Sequence, residues 1–371
     1  MSRTLIHAGN LKTGSTAIQA VLMRLRPKLA ERGVMMPGLE AGDRAHYKLA
    51  HETKLTGQAV GGPATRQMRV RLKKRDPSEV TLLTSETFMS SSPKELHDLM
   101  ASARVKDPTI LFYVRPHASL IASLYLQHIK TGIYMDSIED RLTHLGRLAA
   151  IMFIERIEHY STVFGKGALM VREFSRDRLV DKSIVADFWK AFQLPEDLFA
   201  QALATEEVRN PTPTQEVALL VRAIGLHMQA QKSSGWTKAG GQTLALSFFR
   251  NLSRQSPDLP GTQFRLPLAV QESMAAAWDS PRAAFASRWF SEPPTASWLH
   301  EPMMAPLAPV CLPYDQVEAA LGRTVKRLKA DGLAAMAASA KEFLKLLPRE
   351  LESGSAVIDV KCLQDGLASG P

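Results

Sequence analysis

Only two cysteines occur in 371 residues, Cys311 and Cys362. Two thiols late in the chain cannot build a disulfide framework, and no C-x-x-C or Cys/His cluster offers a zinc site. No apolar run approaches the ~18 residues that a membrane-crossing helix needs. Internal repeats and low-complexity tracts are also missing. The first strand pattern begins by about residue 4, which leaves no room for a signal peptide and makes a reducing cytoplasm the expected compartment. Acidic residues are in the minority, with 37 Asp and Glu against 46 Lys and Arg, a formal net charge of +9. That balance favours an anionic ligand: a nucleotide, an acidic sugar, nucleic acid or a lipid surface. The plain alternative is a solvated basic surface. Hydrophobic content of 45% and charged content of 22% are ordinary for a globular chain, and its length accommodates one large or two ordinary domains.

A lysine is missing where a triphosphate-binding loop requires one. Thr4, Leu5 and Ile6 form a short apolar run, followed by His7, Ala8 and a loop from Gly9 to Gly14. From Ser15 the pattern turns helical, with Ile18, Val21, Leu22 and Leu25 on one face. Strand, glycine loop and helix in that order make an anion cradle, because loop N–H groups and the positive helix end converge. Gly9 and Gly14 keep the G-x-x-x-x-G spacing, but Ser15 stands where the P-loop lysine belongs and the lysine lies inside the loop, as Lys12. The arrangement of Lys on β/γ-phosphates with Mg²⁺ on Ser/Thr is not reproduced. The expected ligand is a nucleotide without a triphosphate tail.

Downstream, Val34–Met36, Val80–Thr84, Thr109–Val114 and Leu169–Val171 read as short buried strands. Helical patterns lie between them, at Arg66–Arg75, after Pro93, at His117–Lys130 and over 149–164, and a further one follows over 183–193. The alternation predicts an α/β fold, three layers α/β/α around a central parallel sheet. Beyond 194 strand signals fade and helices are expected at 214–228, 243–251, 266–290 and 314–348. Residues 229–242, with Trp236, read as a loop that could cover adenine or acceptor. A Pro-rich run from 293 to 313 reads as a linker or surface arm. The expected division is 1–292 for the main domain and 293–371 for a helical extension, with the last dozen residues frayed.

Ligands of doubly wound sheets sit outside the carboxyl ends of the strands. Lys12, Glu86 and Arg115 each follow an expected strand and should gather on that edge. Ser123 lies on the helix after Arg115, and Ser119 shares its face. An Arg fork with a Ser hydroxyl suits a phosphate.

The run Leu11-Lys12-Thr13-Gly14-Ser15-Thr16 resembles the 5′-phosphosulfate loop of sulfotransferases that use 3′-phosphoadenosine 5′-phosphosulfate (PAPS). Tyr113-Val114-Arg115 with Ser123 and Tyr125 resembles their 3′-phosphate segment. Gln127–Gly132, His7, Thr84-Ser85-Glu86 and Val171-Arg172-Glu173-Phe174 are similar to bacterial members. The likeness covers roughly residues 1 to 292. It implies a P-loop-like fold and a metal-independent, in-line transfer of sulfuryl from PAPS to an acceptor hydroxyl, with a carbohydrate or glycolipid preferred. It implies that Lys12 acts on the phosphosulfate bridge, that Thr13, Gly14, Ser15 and Thr16 hold the 5′-phosphate, and that Arg115 and Ser123 hold the 3′-phosphate. Glu86 is the first choice of general base and His46 the second. No nucleic-acid partner is expected, and a homodimer is left open. Two other readings stand beside it: a P-loop small-molecule kinase and a non-catalytic nucleotide-binding scaffold.

Overall fold

The structure is a computed structural model. It describes residues 3–54, 62–131, 151–206, 213–230, 238–255, 262–300, 303–305, 310–346, 349–352 and 355–358. In chain order the elements of the first 173 residues are β1 (Arg3–His7), α1 (Ser15–Glu31), β2 (Val34–Met35), α2 (Tyr47–Glu52), α3 (Pro63–Lys73), β3 (Val80–Thr84), α4 (Pro93–Ser102), β4 (Thr109–Val114), α5 (His117–Lys130), α6 (Phe153–Phe164) and β5 (Leu169–Glu173). Then come α7 (Ile184–Ala191), α8 (Phe199–Ala204), α9 (Gln215–Ala230), α10 (Lys238–Gln255), α11 (Leu268–Trp289) and α12 (Ala296–Leu299). The chain ends with β6 (Leu312–Pro313), α13 (Tyr314–Ala330), α14 (Ala334–Leu346), β7 (Arg349–Glu352) and β8 (Ser355–Ile358).

Two compact units emerge. The first comprises Met1–Leu120, His144–Asn210 and Ser273–Pro302. It holds a five-stranded parallel sheet in the order β2-β3-β1-β4-β5. Alternate strand residues face opposite sides. Leu5, Leu82, Leu111 and Tyr113 join a core with α1 and α7. On the other side Phe112 meets Tyr160 of α6 edge-on at 5.1 Å, and Tyr160 donates to the Phe88 carbonyl at 2.6 Å. Strands covered on both faces are largely apolar at their centres, as Leu5-Ile6, Leu82-Leu83 and Ile110–Val114 show. The expected central parallel sheet flanked by helices is therefore present.

α1 is held by its apolar stripe. Ile18, Val21, Leu22, Leu25 and Leu29 are all buried, each contributing roughly 1.5–3 kcal/mol relative to exposure. Ser92 caps α4 by accepting from the Glu95 amide at 3.3 Å, and Ser183 caps α7 through the Ala186 amide at 3.0 Å.

The second unit comprises Ile121–Thr143, Pro211–Glu272 and Met303–Pro371. It is largely helical, with a small antiparallel sheet in the order β6-β8-β7. That sheet departs from the expectation of helices alone after residue 194. Glu216 is fully buried and anchors two distant segments, accepting from the Thr262 amide at 2.8 Å and the Val310 amide at 3.1 Å.

The expected loop over 229–242 is also corrected. Residues 238–242 are helical, because Gly240 and Gly241 are buried within α10, where side-chain-free positions suit packing. Residues 231–237, Trp236 among them, lie outside the described residues, as do Gly132 and the last dozen. The segment after 292 is an arm on the first unit as far as Trp298. Thr295 donates from its amide to Glu173 Oε2 at 3.0 Å, and Trp298 is fully buried.

Candidate active site

The loop after β1 is shaped by its own side chains. Asn10 Oδ1 accepts the Leu11 amide at 2.8 Å, and the Thr13 hydroxyl donates to the Asn10 carbonyl at 2.6 Å. Both residues are fully buried. Thr13 has therefore committed its hydroxyl proton and can offer a ligand only its backbone N–H. Lys12 adopts φ +63°, a left-handed conformation that costs a non-glycine residue about 1–2 kcal/mol. Gly14 also has a positive φ, +80°, and a Cβ there would lie 2.9 Å from Ile184 Cγ1. Only glycine lets α7 close against the loop. Gly14 is the N-cap of α1 and supplies no capping side chain. The Ala17 and Ile18 amides donate to the Gly14 carbonyl at 3.0 and 3.3 Å, which leaves the Ser15 and Thr16 amides at the head of α1 for another acceptor.

Arg115 reaches this loop from the end of β4. Its Nη1 donates to the Lys12 carbonyl at 3.2 Å across 103 residues of sequence, and its Nε donates to Ser119 Oγ at 3.1 Å. Burial, then the nearby Arg115 charge, lowers the Lys12 pKa. No carboxylate among the described residues offsets either effect at Lys12. Two cations on one loop, with uncapped amides beside them, make a site that favours an anion. Thr16 is exposed at the head of α1, and Ser15 is buried beneath it. Ser123 lies one helical turn past Ser119 on α5, half-buried, in the part of that helix belonging to the second unit.

Glu86 follows β3, at the strand end. Gln19 Nε2 donates to Glu86 Oε2 at 2.5 Å, and Tyr47 Oη donates to Glu86 Oε1 at 3.0 Å. Burial and then the Glu86 charge raise the Tyr47 pKa, so the phenol keeps its proton. Sequence reasoning missed Gln19 and Tyr47 as partners of Glu86. One signal was available: Gln19 is one turn beyond Ser15, on the helix face that starts at the loop.

His46 is placed differently from what a base requires. It is 3% exposed. Its Nδ1 accepts the Thr84 amide at 3.1 Å while Nε2 faces the Pro37 carbonyl at 2.9 Å. Burial lowers its pKa to about 4. Both ring nitrogens are spent on backbone, so the imidazole pins the 37–46 segment to β3. His7 is fully buried and its Nδ1 lies 2.9 Å from Thr84 Oγ1. Burial lowers its pKa to about 3, and its Nε2, without a hydrogen-bond partner, faces Gly9.

The floor of the site is tied by Asp187 of α7. Its Oδ1 accepts from Tyr113 Oη and Arg172 Nε, both at 2.6 Å, and its Oδ2 accepts from Arg172 Nη2 at 2.7 Å. This buried fork links β4, β5 and α7, the helix whose Ile184 meets Gly14.

Among the described residues no group of three or more His, Cys, Asp and Glu is placed to hold a metal, and no helix is long and apolar enough to cross a membrane. No protein-family model and no curated protein matches the chain. The chain is similar to a crystal structure of a sulfotransferase from Alicyclobacillus acidocaldarius, at 11% identity and a TM-score of 0.41, over 80% of this chain and 98% of that one. Donor, acceptor and chemistry have to be read from this chain's own residues.

Proposed function

We propose that residues 1–292 carry a sulfotransferase that moves the sulfuryl group of PAPS to an acceptor hydroxyl, that of a carbohydrate or glycolipid, without a metal. The observation that carries this reading is the 3.2 Å bond from Arg115 to the Lys12 carbonyl. It puts two cations from distant motifs at one loop, beside the Ser15 and Thr16 amides at the head of α1. The donor is an adenosine with a phosphosulfate at one end and a phosphate at the other, which calls for two such centres.

In this reading the backbone amides of Thr13 and Gly14, with Ser15 and Thr16, hold the 5′-phosphate, and Arg115 with Ser123 holds the 3′-phosphate. The acceptor oxygen attacks sulfur, the bond between sulfur and the 5′-phosphate oxygen breaks, and 3′,5′-ADP departs. Lys12 offsets the charge that develops on that oxygen. Glu86 takes the acceptor proton, and His46 acts as the structural pin beside it. Positioning and charge neutralisation carry most of the rate, since no covalent intermediate with the protein is required.

Thermal unfolding with 3′,5′-ADP, compared with ATP plus Mg²⁺, tests the reading. Metal-free 3′,5′-ADP at 100 times its dissociation constant should add about 2.7 kcal/mol of stability. Stabilisation by ATP–Mg²⁺ alone would favour a P-loop kinase instead. A screen of acceptors with labelled PAPS then identifies the hydroxyl.

A further inference from the structure

Residues 63–75 contain six Lys and Arg and no Asp or Glu, in a chain whose net charge is +9. α3 buries Thr65, Met68 and Leu72. Arg66, Arg71, Lys73 and Lys74 are exposed. Arg71, Lys73 and Lys74 have no carboxylate partner among the described residues. Cations in the last turn of a helix complement its dipole, which accounts for Arg71 and Lys73. It does not account for the absence of acids from residues 63–75, where an exposed helix ordinarily mixes both signs.

The stripe starts at the end of α2, whose head lies at the candidate site. Tyr47, at the head of α2, touches Glu86. Glu52, at its end, accepts the Ala64 and Thr65 amides at 3.0 and 2.7 Å. The Ser92 amide, just before α4, donates to the Thr53 carbonyl at 2.6 Å. α3 and α4 therefore both begin where α2 ends. Arg75 ties their far ends, donating to the carbonyls of Leu72, Ala103 and Arg104. From there the chain enters β3 at Val80, so α3 runs from the carboxyl edge of the sheet toward the opposite edge, about 16 Å for its 11 residues.

We infer that the outward face of α3 is a docking track for an anionic polysaccharide whose hydroxyl is sulfated at the site; this rests on the transferase reading above. A row of cations this long suits an extended polyanion, whereas a small anion would meet only one or two of them. Val70, at 51% exposure, is the one exposed large apolar side chain on α3, too little to enter a bilayer. Residues 63–75 include no aromatic ring for a base to stack on. A polysaccharide bearing carboxylates or sulfates supplies both the charge and the acceptor hydroxyl.

Binding of a heparin-derived octasaccharide to the full chain tests the track. The comparison uses Arg71→Gln/Lys73→Gln/Lys74→Gln and a charge-matched control, Lys326→Gln/Lys329→Gln/Lys341→Gln. The track variant should bind about tenfold more weakly and with a shallower salt dependence, the control should match wild type, and a neutral dextran should not bind. Equal loss in both variants, no octasaccharide binding, or stronger binding of single-stranded DNA or phosphatidylserine vesicles through the same residues overturns the inference. Metal-free stabilisation by 3′,5′-ADP is measured on the same samples and should be unchanged in both variants. Its absence from wild type would instead remove the donor reading, and with it the assignment of the polymer as acceptor.

Discussion

Tyr47 Oη lies 3.0 Å from Glu86 Oε1 and 3.2 Å from Gln19 Oε1. One phenol proton cannot serve both, so Tyr47 divides it between the carboxylate and the amide. Gln19 Nε2 holds the second carboxylate oxygen at 2.5 Å. Two neutral donors thus fix the carboxylate plane while leaving lone pairs for an acceptor hydroxyl. Glu86→Gln should lower turnover by about 10²–10⁴-fold, the usual worth of a general base. Tyr47→Phe, which keeps the ring, should cost about tenfold through looser orientation. Neither change should alter 3′,5′-ADP affinity. Initial rates with labelled PAPS, alongside nucleotide titrations, check both, and wild-type turnover in Glu86→Gln removes that residue from the mechanism.

Under the proposed reading Lys12 and Arg115 divide the donor between them, and their substitutions should separate. Lys12→Ala should abolish transfer. Arg115→Ala should mainly weaken 3′,5′-ADP binding, by about 1.5–3 kcal/mol for a lost charged hydrogen bond. Burial and Arg115 lower the Lys12 pKa. The free protein therefore loses this cation at a lower pH than an ordinary lysine would, and donor affinity should decline on the alkaline side. Lys12→Met should remove that limb. Calorimetric titration of 3′,5′-ADP across the alkaline range measures it, and an unchanged alkaline limb in Lys12→Met would show that another group titrates.

The strands that carry the site were legible because buried parallel strands read as unbroken apolar runs. Thr109–Val114 and Val80–Thr84 stand out for that reason. α5 begins at His117 and ends at Lys130, as its periodicity predicts. β6 to β8 were not legible. Strands of two to four residues are too short to show an alternating pattern, and Leu312 pairs with the distant Ile358. Gly240 and Gly241 looked like a break, but burial between helices outweighed the roughly 1 kcal/mol that each glycine costs a helix. Gln19 meets Glu86 across 67 residues, a meeting set by how α1 lies on the sheet and not by any local pattern. His46 looked like a base because residue type was visible and its enclosure by Pro37 and Thr84 was not.

Asp187 is fully buried, and its partner Arg172 is 33% exposed. Asp187→Asn keeps the shape but removes the charge that compensates Arg172. The cost should be about 3 kcal/mol, the low end for a broken buried pair because water reaches Arg172. The substitution should also weaken 3′,5′-ADP binding, since α7 carries Ile184 against Gly14. Leu328→Ala, a buried truncation in α13, should cost a comparable 2–5 kcal/mol without that loss of affinity. Urea unfolding with nucleotide titration separates the two, and equal affinity in Asp187→Asn and wild type would detach α7 from the loop.

Among the described residues His7, His46 and His117 are buried. Burial lowers His7 and His117 to about 3 and His46 to about 4. Each binds a proton more readily unfolded than folded, so its contribution is complete above the ordinary pKa near 6.5 and is lost as pH falls toward the folded value. At pH 4 the loss for His46 is on the order of 3 kcal/mol, set against a net stability of roughly 5–15 kcal/mol for a typical fold. Between pH 6.5 and 5 each histidine should steepen the decline by about 1.1 kcal/mol per pH unit on average. His46→Gln cannot titrate. It should be less stable than wild type at pH 7, because the Pro37 and Thr84 backbone contacts are remade imperfectly, yet lose less on acidification by one histidine's share. Urea midpoints at pH 7, 6 and 5 give the slopes. Parallel slopes for the two proteins would mean that His46 takes up its proton as readily in the fold as in the unfolded chain, and would overturn its place as a neutral acceptor of the Thr84 amide.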